Sequence, residues 1–154
     1  MPKLSQTSYK NLQGVNPQLI KLVETSIVST PIDFRVTDGL RSLSEQKHLV
    51  SIGASQTIDS KHLTGDAIDI VPWINGKPRW EWPLIYTLAE HIRTMAQELN
   101  VRLRWGALWD VAFTRTVKSP QELVEDYVKR RKQVGRRIFL DGPHYELVSR
   151  TEKS

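Results

Sequence analysis

The residues best suited to chemistry in this chain fall in two short stretches. The first, Ser60-Lys61-His62-Leu63-Thr64-Gly65-Asp66-Ala67-Ile68-Asp69, sets an imidazole and a carboxylate on either side of a glycine turn able to fold them toward one point. The second, Asp141-Gly142-Pro143-His144, adds another imidazole and another carboxylate. His62 and Asp69 are both good zinc ligands, and a catalytic zinc takes three protein ligands and keeps a fourth position for water. His144 completes the set. Asp141, separated from His144 by Gly-Pro, is able to sit beside the metal without occupying it, where a carboxylate takes the proton of an attacking water. The chain has no cysteine, so disulfides, thiolate sites and cysteine nucleophiles are excluded and a tight metal site must use His and carboxylates.

Each residue has a plainer reading. A lone histidine is more often locally hydrogen-bonded than a ligand, and Asp-Gly-Pro is a turn sequence on any grounds. His48 and His91 fall in helical stretches, where solvated or capping roles are commoner, and neither is assigned to the metal. The five tryptophans could wall a groove, but most of them are expected to pack.

The elements that must position these residues read as follows. Residues 1–15 are polar and aperiodic. Asn16-Pro17 reads as an N-cap and first helical residue, followed by Leu19, Leu22, Val23 and Ile27 at helical spacing. Residues 33–37 alternate as a strand and end in the turn-prone Asp38-Gly39, with Arg41 just beyond. Ser44, with Glu45, Gln46 and Lys47, predicts a short helix ending before Gly53, and 54–61 reads as a polar loop. Residues 66–71 alternate, with Ala67 and Asp69 on one face and Ile68 and Ile70 on the other, before an Asn75-Gly76 hairpin turn. Pro83 opens the strongest amphipathic helix, its stripe running from Ile85 to Leu99. Val101, Leu103 and Trp105 predict a strand ending at Gly106. Ser119-Pro120-Gln121-Glu122 reads as a capping box, with Leu123, Val124, Tyr127, Val128 and Val134 on one helical face. Residues 144–148 alternate as a closing strand. Helices and strands in irregular order, with hairpin signals and few βαβ spacings, predict one α+β domain on a small antiparallel sheet flanked by helices.

With 154 residues, 39% hydrophobic and 25% charged, the chain is long enough to bury a core and shape a cleft. No stretch resembles a membrane span, and the N-terminus lacks the apolar core of a secretory signal, so synthesis in the cytoplasm is expected. The net charge of +5 favours an anionic partner. A basic cluster, Lys129, Arg130, Arg131, Lys132, Arg136 and Arg137, reads first as a solvated helix face and second as a contact for an anionic wall or outer-membrane surface. A nucleic-acid-binding role lacks a zinc-finger spacing, a phosphate-binding glycine loop or a recognition-helix motif, so no nucleic-acid partner is expected.

SKHLTGDAID followed late in the chain by DGPHYEL resembles the M15 metallopeptidase family, in particular the phage and prophage L-alanyl-D-glutamate endopeptidases of the endolysin type. VTDGLRSLSEQ, SKHLTGDAIDIVPWINGKPRWEWP, LRWGALWD and FLDGPHYELV stand in the family's order and extend the resemblance over most of residues 4–148. The resemblance implies a fold similar to that of the D-alanyl-D-alanine peptidases, also called hedgehog-like. It implies a Zn2+ site of His62, Asp69 and His144, with Asp141 as base where the carboxypeptidase branch has glutamate. Arg41 would lie in the cleft, pairing with a substrate carboxylate or a developing oxyanion. The implied substrate is the peptidoglycan stem peptide, cut between L-alanine and D-glutamate to lyse the host cell. The nearest alternative is a D-alanyl-D-alanine carboxypeptidase or dipeptidase with the same metal site. A monomer is expected, waiting in the host cytoplasm until a holin-type membrane permeabiliser admits it to the wall. Residues 107–140, with the basic helix, form a longer connection than in the shortest relatives, so no calcium or other regulatory site is carried over from them.

Overall fold

The computed structural model describes residues 2–55, 57 and 60–149. The polar loop expected over 54–61 falls partly outside them, and Lys61 already belongs to a 3-10 helix, Lys61–Thr64. Among the described residues no helix is long and apolar enough to cross a membrane.

The first element corrects the sequence reading. Residues 1–15 are not featureless, because helix α1, Gln6–Asn11, forms there with Ser5 as its N-cap. Periodicity misses it because α1 works through polar atoms. Buried Ser8 accepts from the Val36 N–H at 3.0 Å and Asn11 donates to the Val36 carbonyl at 2.9 Å. Both partners lie on strand β1, Phe34–Asp38, an edge of the sheet, and covering edge backbone groups removes a site for stray strand pairing. Helix α2, Pro17–Ser29, starts at Asn16, whose side chain accepts from the Gln18 N–H, and buries Leu19, Leu22, Val23 and Ile27 as their spacing predicted. Helix α3 runs Leu43–Ser51, but its N-cap is Ser42 and not Ser44, because only Ser42 stands three residues before Glu45 to close a reciprocal capping box.

Strand β2, Ala67–Ile74, continues through Pro72 and turns at Asn75-Gly76 into the short β3, Lys77–Pro78. Helix α4, Trp82–Glu98, buries Ile85, Leu88, Ala89, Ile92 and Ala96. Strand β4 is Leu103–Trp105, and a second 3-10 turn spans Phe113–Arg115. Helix α5, Pro120–Gln133, starts at Ser119, whose hydroxyl oxygen accepts from the Glu122 N–H at 3.2 Å. Val134 is its C-cap and 65% exposed, so the apolar face stops at Val128 instead of continuing to Val134. Strand β5, His144–Leu147, closes the sheet.

The sheet order is β1-β2-β5-β4, with β3 paired to β2, and every pairing is antiparallel. This is the expected α+β class. Alternation sorts the sheet into two faces. Phe34, Val36, Ile68, Ile70, Leu103, Trp105 and Tyr145 join the core shared with α2 and α4. The register sets Asp69 opposite His144 on one side and Asp38 on the other, so one row across three strands is polar.

Candidate metal centre

Local structure aims each of the three candidate ligands. His62 lies on the 3-10 turn Lys61–Thr64, where the Ser60 hydroxyl accepts from the His62 N–H at 3.2 Å and Gly65 ends the turn at φ +76°. That left-handed geometry suits glycine, and an added Cβ would also come within 2.5 Å of the Gly14 carbonyl oxygen. The His62 ring donates from Nδ1 to the Gly39 carbonyl at 2.7 Å, which turns the Nε2 lone pair inward. His144 opens β5 and donates from Nε2 to Glu146 Oε1 at 2.8 Å, which turns its Nδ1 lone pair inward. Asp69 comes from β2 with Oδ1 facing both rings.

The three inward atoms form a triangle. His62 Nε2 and His144 Nδ1 are 3.2 Å apart, and each lies 3.4 Å from Asp69 Oδ1. A tetrahedral zinc site with bonds of about 2.0–2.1 Å has ligand–ligand edges of roughly 3.3–3.4 Å, so the triangle already has the size of one face. Asp69 Oδ1 is also buried without a hydrogen-bond donor, an arrangement that costs free energy unless something electropositive occupies the centre. Two imidazoles and a carboxylate, each supported from behind, fit a divalent cation of the zinc type, and these are the residues that could hold it.

Protons compete for the same lone pairs. Burial works to raise the Asp69 carboxyl, but the His144 and His62 rings outweigh it and hold Asp69 well below the usual carboxylate range. Burial works to lower His144, yet the Asp69 and Glu146 carboxylates beside it lift it to about 9.

Asp141 lines the same cleft. Burial pushes its carboxyl up to about 6, the Asp69 charge adds to the rise, and His144, His62 and Arg41 oppose it. Its loop is clamped between strands: the Asp141 N–H donates to the Gly106 carbonyl at 2.8 Å and the Gly106 N–H to the His144 carbonyl at 2.7 Å. Position 106 admits only glycine at this spacing, since a Cβ would meet the Asp141 carbonyl oxygen at 2.2 Å. Arg41 also lines this cleft, with a fuller set of partners than the sequence showed. It donates from Nε to Asp38 at 2.6 Å, from Nη1 to Gln46 at 2.9 Å and from Nη2 to Asp69 Oδ2 at 3.4 Å. It therefore steadies the outer oxygen of a candidate ligand, and a guanidinium has five N–H groups to share.

Several participants were not singled out from the sequence. Glu146 fixes His144, and alternation placed it on the same face two residues on, so a signal existed. Lys61 stands 3.5 Å from Glu146, and Gln46, fully buried, holds Arg41. Neither contact has a local sequence signature. Trp109 tilts over His144 at 5.3 Å and lines the cleft, whereas Trp105 is buried against Phe113 and Trp82 packs on Tyr86. His91 is elsewhere, donating to the Ser26 carbonyl at 2.9 Å, and His48 stays on α3. The basic cluster separates: Arg130 pairs with Asp110 through two bonds of 2.9 Å, Arg131 and Arg137 line the cleft, and Lys129, Lys132 and Arg136 face solvent.

Supported imidazoles and a carboxylate, with a second carboxylate of raised proton affinity nearby, are the equipment of metal-dependent hydrolases. The chain belongs to the phage L-alanyl-D-glutamate peptidase family, which it matches over residues 1–148. It is 33% identical over 150 residues to the L-alanyl-D-glutamate peptidase of Escherichia phage T5, spanning 95% of this chain and 98% of that one. The crystal structure of the L-Ala D-Glu endopeptidase ChiX from Serratia marcescens aligns with a TM-score of 0.69 at 30% identity, over 96% of this chain and 91% of that one. The family resemblance read from the motifs is met.

Proposed function

We propose that this chain is a zinc peptidase that hydrolyses the L-alanyl-D-glutamate bond of peptidoglycan stem peptides. The observation that carries the proposal is the donor triangle with edges of 3.2, 3.4 and 3.4 Å, with Asp141 in the same cleft. The relatives named for that bond support the choice of substrate.

His62, Asp69 and His144 would hold the zinc, which when bound supplies Lewis acidity that acidifies water and polarises the scissile carbonyl. Asp141 takes the proton of the attacking water and delivers it to the departing amine nitrogen. A base whose proton affinity sits near the working pH is both ionised and strong enough for this exchange. Arg41 keeps Asp69 aligned and has N–H groups left for the carbonyl oxygen as charge develops on it. Glu146 and the Gly39 carbonyl keep the two imidazoles facing inward. In the cell, the protein would reach the wall after a holin-type partner permeabilises the membrane, and cleavage there would lyse the host.

Digestion of purified peptidoglycan by wild type, chelated wild type and Asp141→Ala, with termini read by mass spectrometry, tests this reading. New C-terminal alanine and N-terminal glutamate should appear with metal-replete wild type alone. Undiminished cleavage by Asp141→Ala would remove Asp141 as base. Release of free D-alanine without loss of wall turbidity would instead mark a carboxypeptidase.

A further inference from the structure

The cleft is a cavity of about 440 Å3, within the range used for small ligands. Among the described residues four lysine and arginine side chains line it, and they divide into two kinds. Arg41 is bonded to Asp38 and Asp69, and Lys61 faces Glu146. Arg131 and Arg137, at the end formed by α5 and the segment after it, have no carboxylate within ion-pair distance among the described residues. Asp110, the acidic residue on that part of the lining, is occupied by Arg130.

Arg131 is half-buried and held in place. Its Nε donates to the Arg137 carbonyl at 2.9 Å, and its guanidinium lies 5.9 Å from the centroid of the buried Tyr127 ring. With Nε committed to backbone, the two Nη nitrogens remain, and an arginine fixed in this way loses little freedom when an anion arrives. Two unpaired cations in a cleft call for an anionic ligand group.

The substrate of the proposed reaction carries one. On the acyl side of the bond, alanine offers a methyl group. On the amine side, glutamate has two carboxyl groups and needs only one to continue the chain, so the other stays free on the residue that bears the scissile nitrogen. We propose that Arg131, with Arg137 beside it, binds a substrate carboxylate on the glutamate side of the bond. The stem peptide then lies with glutamate toward α5 and alanine away from it. The assignment rests on the L-alanyl-D-glutamate reading above. The carboxylate belongs either to glutamate or to the residue after it, and the chemistry is the same.

The test uses four tripeptides, N-acetyl-L-Ala-D-Glu-L-Lys with the glutamate's spare carboxyl free or amidated and the C-terminus free or amidated. Wild type should cleave the fully carboxylated peptide with kcat/KM roughly 10- to 100-fold above the fully amidated one, the range for a charge-assisted pair. The two singly amidated peptides say which carboxylate is bound. Arg131→Gln should shrink the preference to within about threefold by raising KM on the carboxylated peptide, and Arg137→Gln should reduce it part of the way. Arg131→Lys, which keeps the charge and loses the fork, should recover part of it, a rescue that a merely structural role for Arg131 would not give. Cleavage of all four peptides at equal rates by wild type, or an unaltered preference in both glutamine variants, would overturn the assignment. Failure of wild type to cut any of them between Ala and Glu would overturn the reading beneath it instead.

Discussion

On one side of the cleft, Asp69 and His144 sit on paired strands whose register places them opposite each other, and their outer atoms are tied to Arg41 and Glu146. On the other side, Arg131 and Arg137 belong to the end of α5 and the segment beyond it, with one backbone hydrogen bond and one ring contact to steady Arg131. A sheet fixes positions through many shared hydrogen bonds, which suits ligand atoms that must hold a triangle to a few tenths of an ångström. A helix end and the segment after it hold Arg131 by fewer ties than a sheet supplies, which is enough to present a guanidinium to a carboxylate on a polymeric substrate. Damage to the first wall should therefore abolish chemistry, and damage to the second should alter choice of substrate or stability.

The largest effect is expected from the triangle. His144→Ala or Asp69→Ala removes a candidate ligand, and loss of the several kcal/mol that a Lewis acid supplies lowers kcat on peptidoglycan by on the order of 10³-fold or more. Asp141→Asn should lower kcat by about 10²–10⁴-fold while bound metal, measured by elemental analysis, stays at the wild-type level.

The pH dependence follows from the same carboxyl. As the proposed base Asp141 would act ionised, its proton affinity is raised to about 6, and a nearby cation only lowers it, so the acid limb of kcat/KM is expected at or below pH 6. In the metal-free protein the sign runs the other way for stability. A carboxyl raised in the folded state contributes stability below its ordinary value and loses it as pH rises toward 6. Asp141→Asn should thus stabilise the metal-free protein by on the order of 2 kcal/mol at pH 8 and little at pH 3, a contrast read by paired denaturant melts.

Glu146→Gln is a milder break. It keeps the fold of β5 and weakens the support of His144, so zinc affinity should fall roughly 10- to 100-fold in a competition titration with a chelating dye. Ser119→Ala, at the start of α5, should cost about 1 kcal/mol of unfolding free energy and leave metal affinity unchanged, because the cap serves the other wall. A large loss of metal affinity in Ser119→Ala would mean that the walls are coupled.

Legibility in the sequence follows the same division. Alternation in β2 put Asp69 on the face opposite Ile68 and Ile70, and Gly65 marked the turn that brings His62 round, so the triangle could be anticipated from local pattern. The helices α2 and α4 were legible because their apolar residues recur at helical spacing and face the core. Contacts between distant polar residues were not. Gln46 reaches Arg41 only after α3 folds against the strand end, and α1 owes its place to hydrogen bonds from Ser8 and Asn11 to an edge strand. Two serines competed for the α3 cap, and spacing to Glu45 decided for Ser42. The basic cluster looked uniform as a string. Only the packing of α5 separated Arg130, neutralised by Asp110, from Arg131 and Arg137 on the cleft.

Calorimetric titration of zinc into metal-stripped wild type and into His144→Ala tests the central claim most directly. One tightly bound ion per chain in wild type, with that binding lost in His144→Ala while the melting profile shows the variant still folded, is the predicted result. Equal tight binding by the two proteins would contradict the assignment of His62, Asp69 and His144 as the metal site.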